Sequence, residues 1–234
     1  MDAITVEVIR NSTSYIAEEM GIILRNTSYS PNIKDRLDFS CAILSSNGEL
    51  IAQAEHIPVH LGSMAIGVKN VIDYLKKEGI EIEKDDVIIV NDPYIAGTHL
   101  NDITLLKPIF YNDEIIGYVA NKAHHVDVGG CAPGSICSDV KELYHEGLII
   151  PPSKLVENGK LNKELLNLIT SNVRVQKSTI GDLKAQIASL NIGVERILKL
   201  IEKYSYKEVL EAWKKSLDYS EAYLKSKIKD ICCV

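Results

Sequence analysis

Apolar residues recur at helical spacing near both ends of the chain and fall into short runs between them. Close to the start, Ile9, Ile16, Met20, Ile23 and Leu24 stand at helix-like intervals, which predicts a helix over residues 5–25. Towards the end, Ile180, Leu183, Ile187, Leu190, Val194, Ile197 and Ile201 alternate three- and four-residue steps. That spacing marks a bundle or coiled-coil seam. A last helix is predicted from Ser205, where Ser205 and Glu208 form a capping box, and it runs towards Ile231. The middle is mixed. Residues 38–45 and 49–53 flank Asn47-Gly48 and read as a hairpin with a type I′ turn. Residues 62–78 read as a helix closed by Gly79. Residues 87–90 form an apolar strand that enters Asn91-Asp92-Pro93, and residues 103–111 and 114–122 form a second hairpin around Asn112-Asp113.

The expected fold class is therefore mixed α/β (α+β): strands and loops carrying a His/Asp cluster, an N-terminal helix, and a long C-terminal helical hairpin. Pro151-Pro152 is the sharpest break. It divides a mixed portion, residues 1–152, from a helical portion, residues 153–234, as two units or one continuous domain.

Composition adds the exclusions. Of 234 residues, 46% are hydrophobic and 25% charged, which is enough to bury a core and too apolar for intrinsic disorder. The net charge of −6 argues against a nucleic-acid partner. No uncharged apolar stretch approaches the roughly 18–20 residues of a membrane span, and the charged first ten residues do not read as a secretion signal. The five cysteines include no Cys-x-x-Cys pair, so they read as free thiols of a cytoplasmic protein, and Cys131 and Cys137 lack the usual zinc spacing.

The histidines change the picture. All six lie between His56 and His145, and residues 81–146 hold twelve acids against four lysines. Imidazole and carboxylate concentrated together suit a divalent-metal or acid–base site. Three segments carry them. In Glu55-His56-Ile57-Pro58-Val59-His60-Leu61-Gly62, Pro58 forbids a regular helix, so His56 and His60 share one face of an extended chain and His60 precedes a helix N-terminus. In Asn91-Asp92-Pro93-Tyr94 and Gly97-Thr98-His99-Leu100-Asn101-Asp102, a carboxylate ends a buried strand, and His99 and Asp102 sit three apart in one loop. In Ala123-His124-His125-Val126-Asp127-Val128-Gly129-Gly130, two imidazoles and a carboxylate fall within four residues. If that strand continues, His124 and His125 face opposite ways; a turn after His125 would instead bring His124 and Asp127 together. Downstream, Arg174, Ser178, Asp182 and Gln186 make one polar row on a continuous helix, expected as a solvated face. No phosphate-binding glycine loop of either common type occurs.

In this order the motifs resemble the N-methylhydantoinase B / 5-oxoprolinase family, which includes a related acetone carboxylase subunit. The matching pieces are Asp38-Phe39-Ser40-Cys41-Ala42, His56-Ile57-Pro58-Val59-His60 through Met64, Asn91-Asp92-Pro93-Tyr94, Gly97-Thr98-His99-Leu100 with Asp102, and His124-His125 with Asp127-Val128-Gly129-Gly130. Pro133-Gly134-Ser135, Glu146-Gly147, Asn172-Val173-Arg174 and Gly181-Asp182-Leu183 continue it. The resemblance covers nearly the whole chain but only the N-terminal portion of the family's usual length.

The resemblance implies a subunit, or N-terminal portion, of an ATP-dependent enzyme that opens cyclic amides such as hydantoins or 5-oxoproline by metal-assisted hydrolysis. It implies that a hydantoinase A-like partner holds the ATP, with a separately encoded C-terminal portion or a homo- or hetero-oligomer completing the assembly. An acetone-carboxylase-like subunit and a non-catalytic paralogue that binds the partner are the alternatives. The implied metal ligands are Asp92, His124 and Asp127, for Mn, Zn or Fe. His125, His99, Asp102 and Glu146 are the implied catalytic groups, and His60, Arg174 and Asp182 the implied substrate contacts.

Overall fold

A computed structural model describes residues 1–60 and 62–232. Leu61, part of the first histidine-bearing segment, and Cys233, one of the expected free thiols, lie outside the described residues.

The chain opens with α1 (Ala3–Thr27), whose first turn is capped by the Asp2 carboxylate accepting from the Thr5 N–H at 3.0 Å. A short α2 (Pro31–Lys34) leads into the hairpin β1 (Phe39–Ser45) and β2 (Leu50–Glu55). The predicted type I′ turn does not form there. Only Gly48 has a positive φ, 79°, while the Gly48 N–H donates to the Ser45 carbonyl and the Ser45 N–H to that of Glu49. The glycine thus supplies the left-handed bulge of a three-residue loop, and Asn47 stays on the ordinary side of φ. After a 3-10 turn at Pro58–His60 come α3 (Ser63–Lys77), β3 (Val87–Val90) and the short α4 (Pro93–Ala96). The long hairpin β4 (Asp102–Tyr111) and β5 (Glu114–His124) follows. Here both turn residues, Asn112 at φ 49° and Asp113 at φ 63°, are left-handed, as a two-residue I′ turn requires. The rest is β6 (Ser153–Glu157), β7 (Lys160–Leu161), α5 (Lys163–Ser171), α6 (Gln176–Tyr204) and α7 (Tyr206–Cys232).

Among the described residues seven strands form one antiparallel sheet in the order β2-β1-β5-β4-β3-β6-β7. Because β6 and β7 follow residue 152 and extend the sheet from β3, the sheet runs across the expected division of the chain. Side-chain alternation gives the sheet two apolar faces. Ile43, Leu105, Val119 and Ala123 meet α1 and α6 through Ile9, Met20, Leu24, Leu190 and Ile197. Leu44, Ile88, Leu106 and Ala120 meet α3 through Met64, Val68 and Leu75. The mixed α/β architecture, with its N-terminal helix and long C-terminal helices, agrees with the sequence expectation.

The C-terminal helices use α1 as their base. Arg196 on α6 clasps Glu19 with two nitrogens at 2.6–3.0 Å, and the Trp213 indole N–H on α7 donates to the Thr13 hydroxyl at 3.1 Å. The predicted capping box forms by half: the Glu208 N–H donates to Ser205 Oγ at 3.4 Å, but the Glu208 carboxylate accepts from Ser205 Oγ at 3.0 Å and not from the Ser205 N–H, which donates to the Ile201 carbonyl. The seam on α6 is only partly the buried face: Leu183, Leu190, Ile197 and Ile201 are buried, whereas Ile180, Ile187 and Val194 are half-buried. The expectation of a solvated polar row fails in its second half. Asp182 and Gln186 are buried, because both meet backbone groups that burial would otherwise leave unpaired. The Asp182 carboxylate accepts the N–H groups of Tyr29 and Ser30, at 2.7 and 3.1 Å, where the chain turns out of α1. The Gln186 amide donates to the Ile103 carbonyl and Asn121 Oδ1, each at 3.0 Å.

Among the described residues no helix is long and apolar enough to cross a membrane.

Candidate metal centre

The chemistry-bearing side chains collect where β4 begins and β5 ends. Asp102 and His124 are register partners across this hairpin, so their side chains project from the same face of the sheet, the α3 side. His124 Nδ1 donates to Asp102 Oδ1 at 2.7 Å. The loop before β4 brings in His99, whose backbone N–H and ring Nδ1 meet Asp102 Oδ2 at 2.9 and 3.1 Å. The two imidazoles stand edge to face with ring centres 6.0 Å apart. A third imidazole approaches from the Pro58–His60 turn. His60 is fully buried, its Nδ1 lies 3.1 Å from Ser40 Oγ, and its Nε2 points at Asp102 Oδ1 from 3.8 Å.

Asp102 is thus a buried carboxylate at the hub of three histidines. Burial alone would raise its pKa, but contacts from His124, His60, the His99 N–H and Thr98 hold it well below the usual carboxylate range. Burial likewise disfavours a charged His124, yet the hydrogen bond and charge of Asp102 outweigh it and raise the imidazole's pKa. The cluster opens on a small cavity of about 290 Å³ whose wall includes His99, His124, Ser135, Cys137 and Glu146. Glu146 is half-buried there.

Each of His99, Asp102 and His124 offers a ligand atom within 4.8 Å of those of the other two. The donor set fits a divalent ion: two imidazoles and one ionised carboxylate, with the His99 side chain 65% exposed so that coordination positions face the cavity. His60 Nε2, buried and without a hydrogen-bond partner, stands behind the carboxylate.

The expected ligand trio Asp92, His124 and Asp127 is not brought within such reach. Asp92 caps α4, its Oδ1 accepting the Tyr94 N–H at 2.9 Å. Asp127 is engaged by its own loop: it accepts from the N–H groups of Gly129, Gly134 and Arg174 at 2.9–3.1 Å and from the Arg174 guanidinium at 2.9 Å. Burial opposes its charge, and these donors still lower its pKa. Arg174 also donates to the carbonyls of Gly129, Gly130 and Ala132, so its donors serve the same loop. His125 lies on the other face of the sheet, buried, its Nε2 2.9 Å from Gln186 Oε1, and burial lowers its pKa. Asp182, held by Tyr29 and Ser30, is also on that side. Cys41 is a buried thiol pushed up to about 12 by desolvation.

Two contributors escaped the sequence analysis. Asn101 bridges the site loops, its amide donating to the His125 carbonyl at 2.8 Å. Lys122, two residues before His124, is fully buried and donates to the Ala96 carbonyl at 2.9 Å, and desolvation pulls its pKa down to about 8. A lysine near the end of a largely apolar strand was the available signal.

The comparisons with known proteins follow the same lines. The family model for hydantoinase B/oxoprolinase matches residues 2–232. An uncharacterized protein of Methanocaldococcus jannaschii is 91% identical over 234 residues, covering 100% of this chain and 42% of that protein. The 5-oxoprolinase of Saccharomyces cerevisiae is 40% identical over 222 residues, covering 90% of this chain and 17% of the yeast protein. The solved structure of the ATP-dependent caprolactamase from Pseudomonas jessenii superimposes with a TM-score of 0.91 at 33% identity, over 98% of this chain and 39% of that chain. This chain therefore spans well under half the length of the relatives it matches, and it belongs to the hydantoinase B/oxoprolinase family.

Proposed function

We propose that this chain supplies the metal-bearing part of an ATP-dependent enzyme that opens a cyclic amide by hydrolysis, with the nucleotide handled by a hydantoinase A-like partner. The observation that carries this reading is the convergence of His99, Asp102 and His124 beside a cavity rimmed by Glu146. The relatives' names point to the same reaction class: a 5-oxoprolinase, the beta chain of a caprolactamase and the B component of a D-/L-hydantoinase. Those component names support a partner, and so does the lack of a phosphate-cradling glycine loop in this sequence.

His99, Asp102 and His124 would hold the ion, of Mn, Zn or Fe type, which when bound supplies Lewis acidity to a substrate oxygen or a coordinated water. The chain's own groups do the rest. Asp102 stays ionised and sets the orientation of both imidazoles through one carboxylate oxygen each. Glu146, on the cavity wall and half-exposed, is placed to take or give a proton at the substrate. The 290 Å³ cavity suits a small cyclic amide. Asp127 and Arg174 shape the cavity by fixing the loop that carries Ser135. His125, sealed on the far face, holds Gln186 and through it the sheet–α6 contact.

The test is reconstitution. The protein combined with a hydantoinase A-like partner should hydrolyse a five-membered cyclic amide only with ATP and added divalent metal, and Glu146→Gln should lower turnover at least about tenfold with metal content unchanged. Hydrolysis that survives exhaustive chelation, or that Glu146→Gln leaves at the parent rate, contradicts this assignment.

A further inference from the structure

Lys122 is the one lysine whose side chain is fully enclosed among the described residues, and the cost of burying an ammonium demands an explanation. It sits on β5 two positions before His124 and projects from the same face of the sheet. Its Nζ reaches the Ala96 carbonyl at 2.9 Å, the Gly97 carbonyl at 3.2 Å, Ser63 Oγ at 3.3 Å and Thr98 Oγ1 at 3.5 Å. Three of these four acceptors belong to the turn that carries the chain from α4 into His99.

That turn is strained. Gly97 has φ 73° and Thr98 φ 81°. Glycine adopts such an angle freely, but a β-branched residue held there is strained. Thr98 Oγ1 is folded back onto the Gly97 carbonyl at 2.5 Å. A conformation of this kind persists only when its surroundings over-determine it. Its consequence is direct: the next residue, His99, places both its N–H and its ring on Asp102 Oδ2.

We propose that Lys122 is a positioning residue whose buried ammonium clamps the Gly97–Thr98 turn, so that His99 is held against Asp102 before any metal arrives. The inference rests on the metal reading above, and its strength is that one side chain links the strand carrying His124 to the loop carrying His99. Removing the clamp frees the loop and strips the buried Ala96 carbonyl of the Lys122 donor, while the Gly97 carbonyl keeps only the Thr98 hydroxyl; the ligand atoms then have to be gathered at the moment of binding.

The experiment is calorimetric titration of the full chain with Zn²⁺ alone, at a temperature where every variant is folded by circular dichroism. Lys122→Met should bind about 10–100-fold more weakly, the range for losing a group that orients a ligand. Lys122→Arg, which keeps the cation and its donors, should recover most of that loss. The control is Gly193→Ala, on the far face of the sheet, where a methyl would come within 2.5 Å of Met20 Sδ. It should lower stability and leave Zn²⁺ affinity within about twofold. If Lys122→Met does not fold, Lys122→Gln, neutral and shorter but still a donor, is judged by the same loss. Affinity within twofold of the parent in the neutral variants, or a loss that Gly193→Ala reproduces, overturns the inference while leaving the metal reading intact. A parent protein that binds no better than Asp102→Asn fails the metal reading, and this inference falls with it.

Discussion

Asp102→Asn is expected to lower divalent-metal affinity at least about 100-fold, the largest effect of any single substitution in this protein. Losing a group that merely orients a ligand commonly costs 10–100-fold, and Asp102 is the only carboxylate in the cluster. The side chain keeps its size, so the packing around β4 should hold. What changes is charge and acceptor capacity: one oxygen becomes an amide NH₂ and confronts a ring nitrogen of His99 or His124, which now sit 3.1 and 2.7 Å from carboxylate oxygens. His124 also loses the partner that raises its pKa. Titration with Zn²⁺ or Mn²⁺ checks the first consequence, and the His124 ring proton shift followed against pH checks the second. An Asp102→Asn protein that binds metal as tightly as its parent would remove the carboxylate from the site.

The second large effect concerns folding. Asp127→Ala should destabilise the chain by about 3 kcal/mol or more, because it strips four donors of a buried acceptor at once. The lower end of the range applies because Arg174 is 42% exposed and can turn to water. The pH dependence follows from the lowered pKa of Asp127 in the folded state. Its contribution is complete above the unfolded value of about 3.9 and is lost as pH falls through the folded value. Denaturant titrations should therefore show the full difference between parent and variant at pH 7, shrinking only below about pH 4. A cost under about 1 kcal/mol at pH 7 would mean the loop is held by something other than this carboxylate.

Much of the fold was readable in the apolar periodicity because most of these elements have a single buried face. The helix at residues 5–25, the strand at 87–90 and the two hairpins all appear close to their predicted limits. The site was legible in composition and not in register. Counted back from the Asn112-Asp113 turn, Tyr111 opposes Glu114, and an unbroken ladder would set Asp102 opposite Ala123. A one-residue irregularity between Ile109 and Phe110 shifts the pairing, so that Asp102 meets His124 instead. Pro108 and Gly117 flank that bulge, and strands tolerate such residues at irregularities, but they do not fix its size or direction, and it decides which imidazole joins the carboxylate. Strand alternation then sends His125 to the opposite face, where Gln186 receives it. Asp127 looked like a ligand because it follows two histidines closely. The chain has already left β5 by then, and the glycine-rich loop turns its own N–H groups onto the carboxylate. The polar row on α6 misled for a related reason: a helix that crosses β-strand ends and chain turns must bury hydrogen-bonding groups to satisfy them.

The central claim is that His99, Asp102 and His124 form one metal centre. Crystals of the protein soaked in Zn²⁺ and measured at the zinc absorption edge test it most directly, since the anomalous signal locates the ion without reference to activity. A single strong peak is predicted at about 2.0–2.2 Å from an imidazole nitrogen of His99, one of His124 and a carboxylate oxygen of Asp102. A peak held instead by Asp92 and Asp127, or no peak among these three side chains, would contradict it.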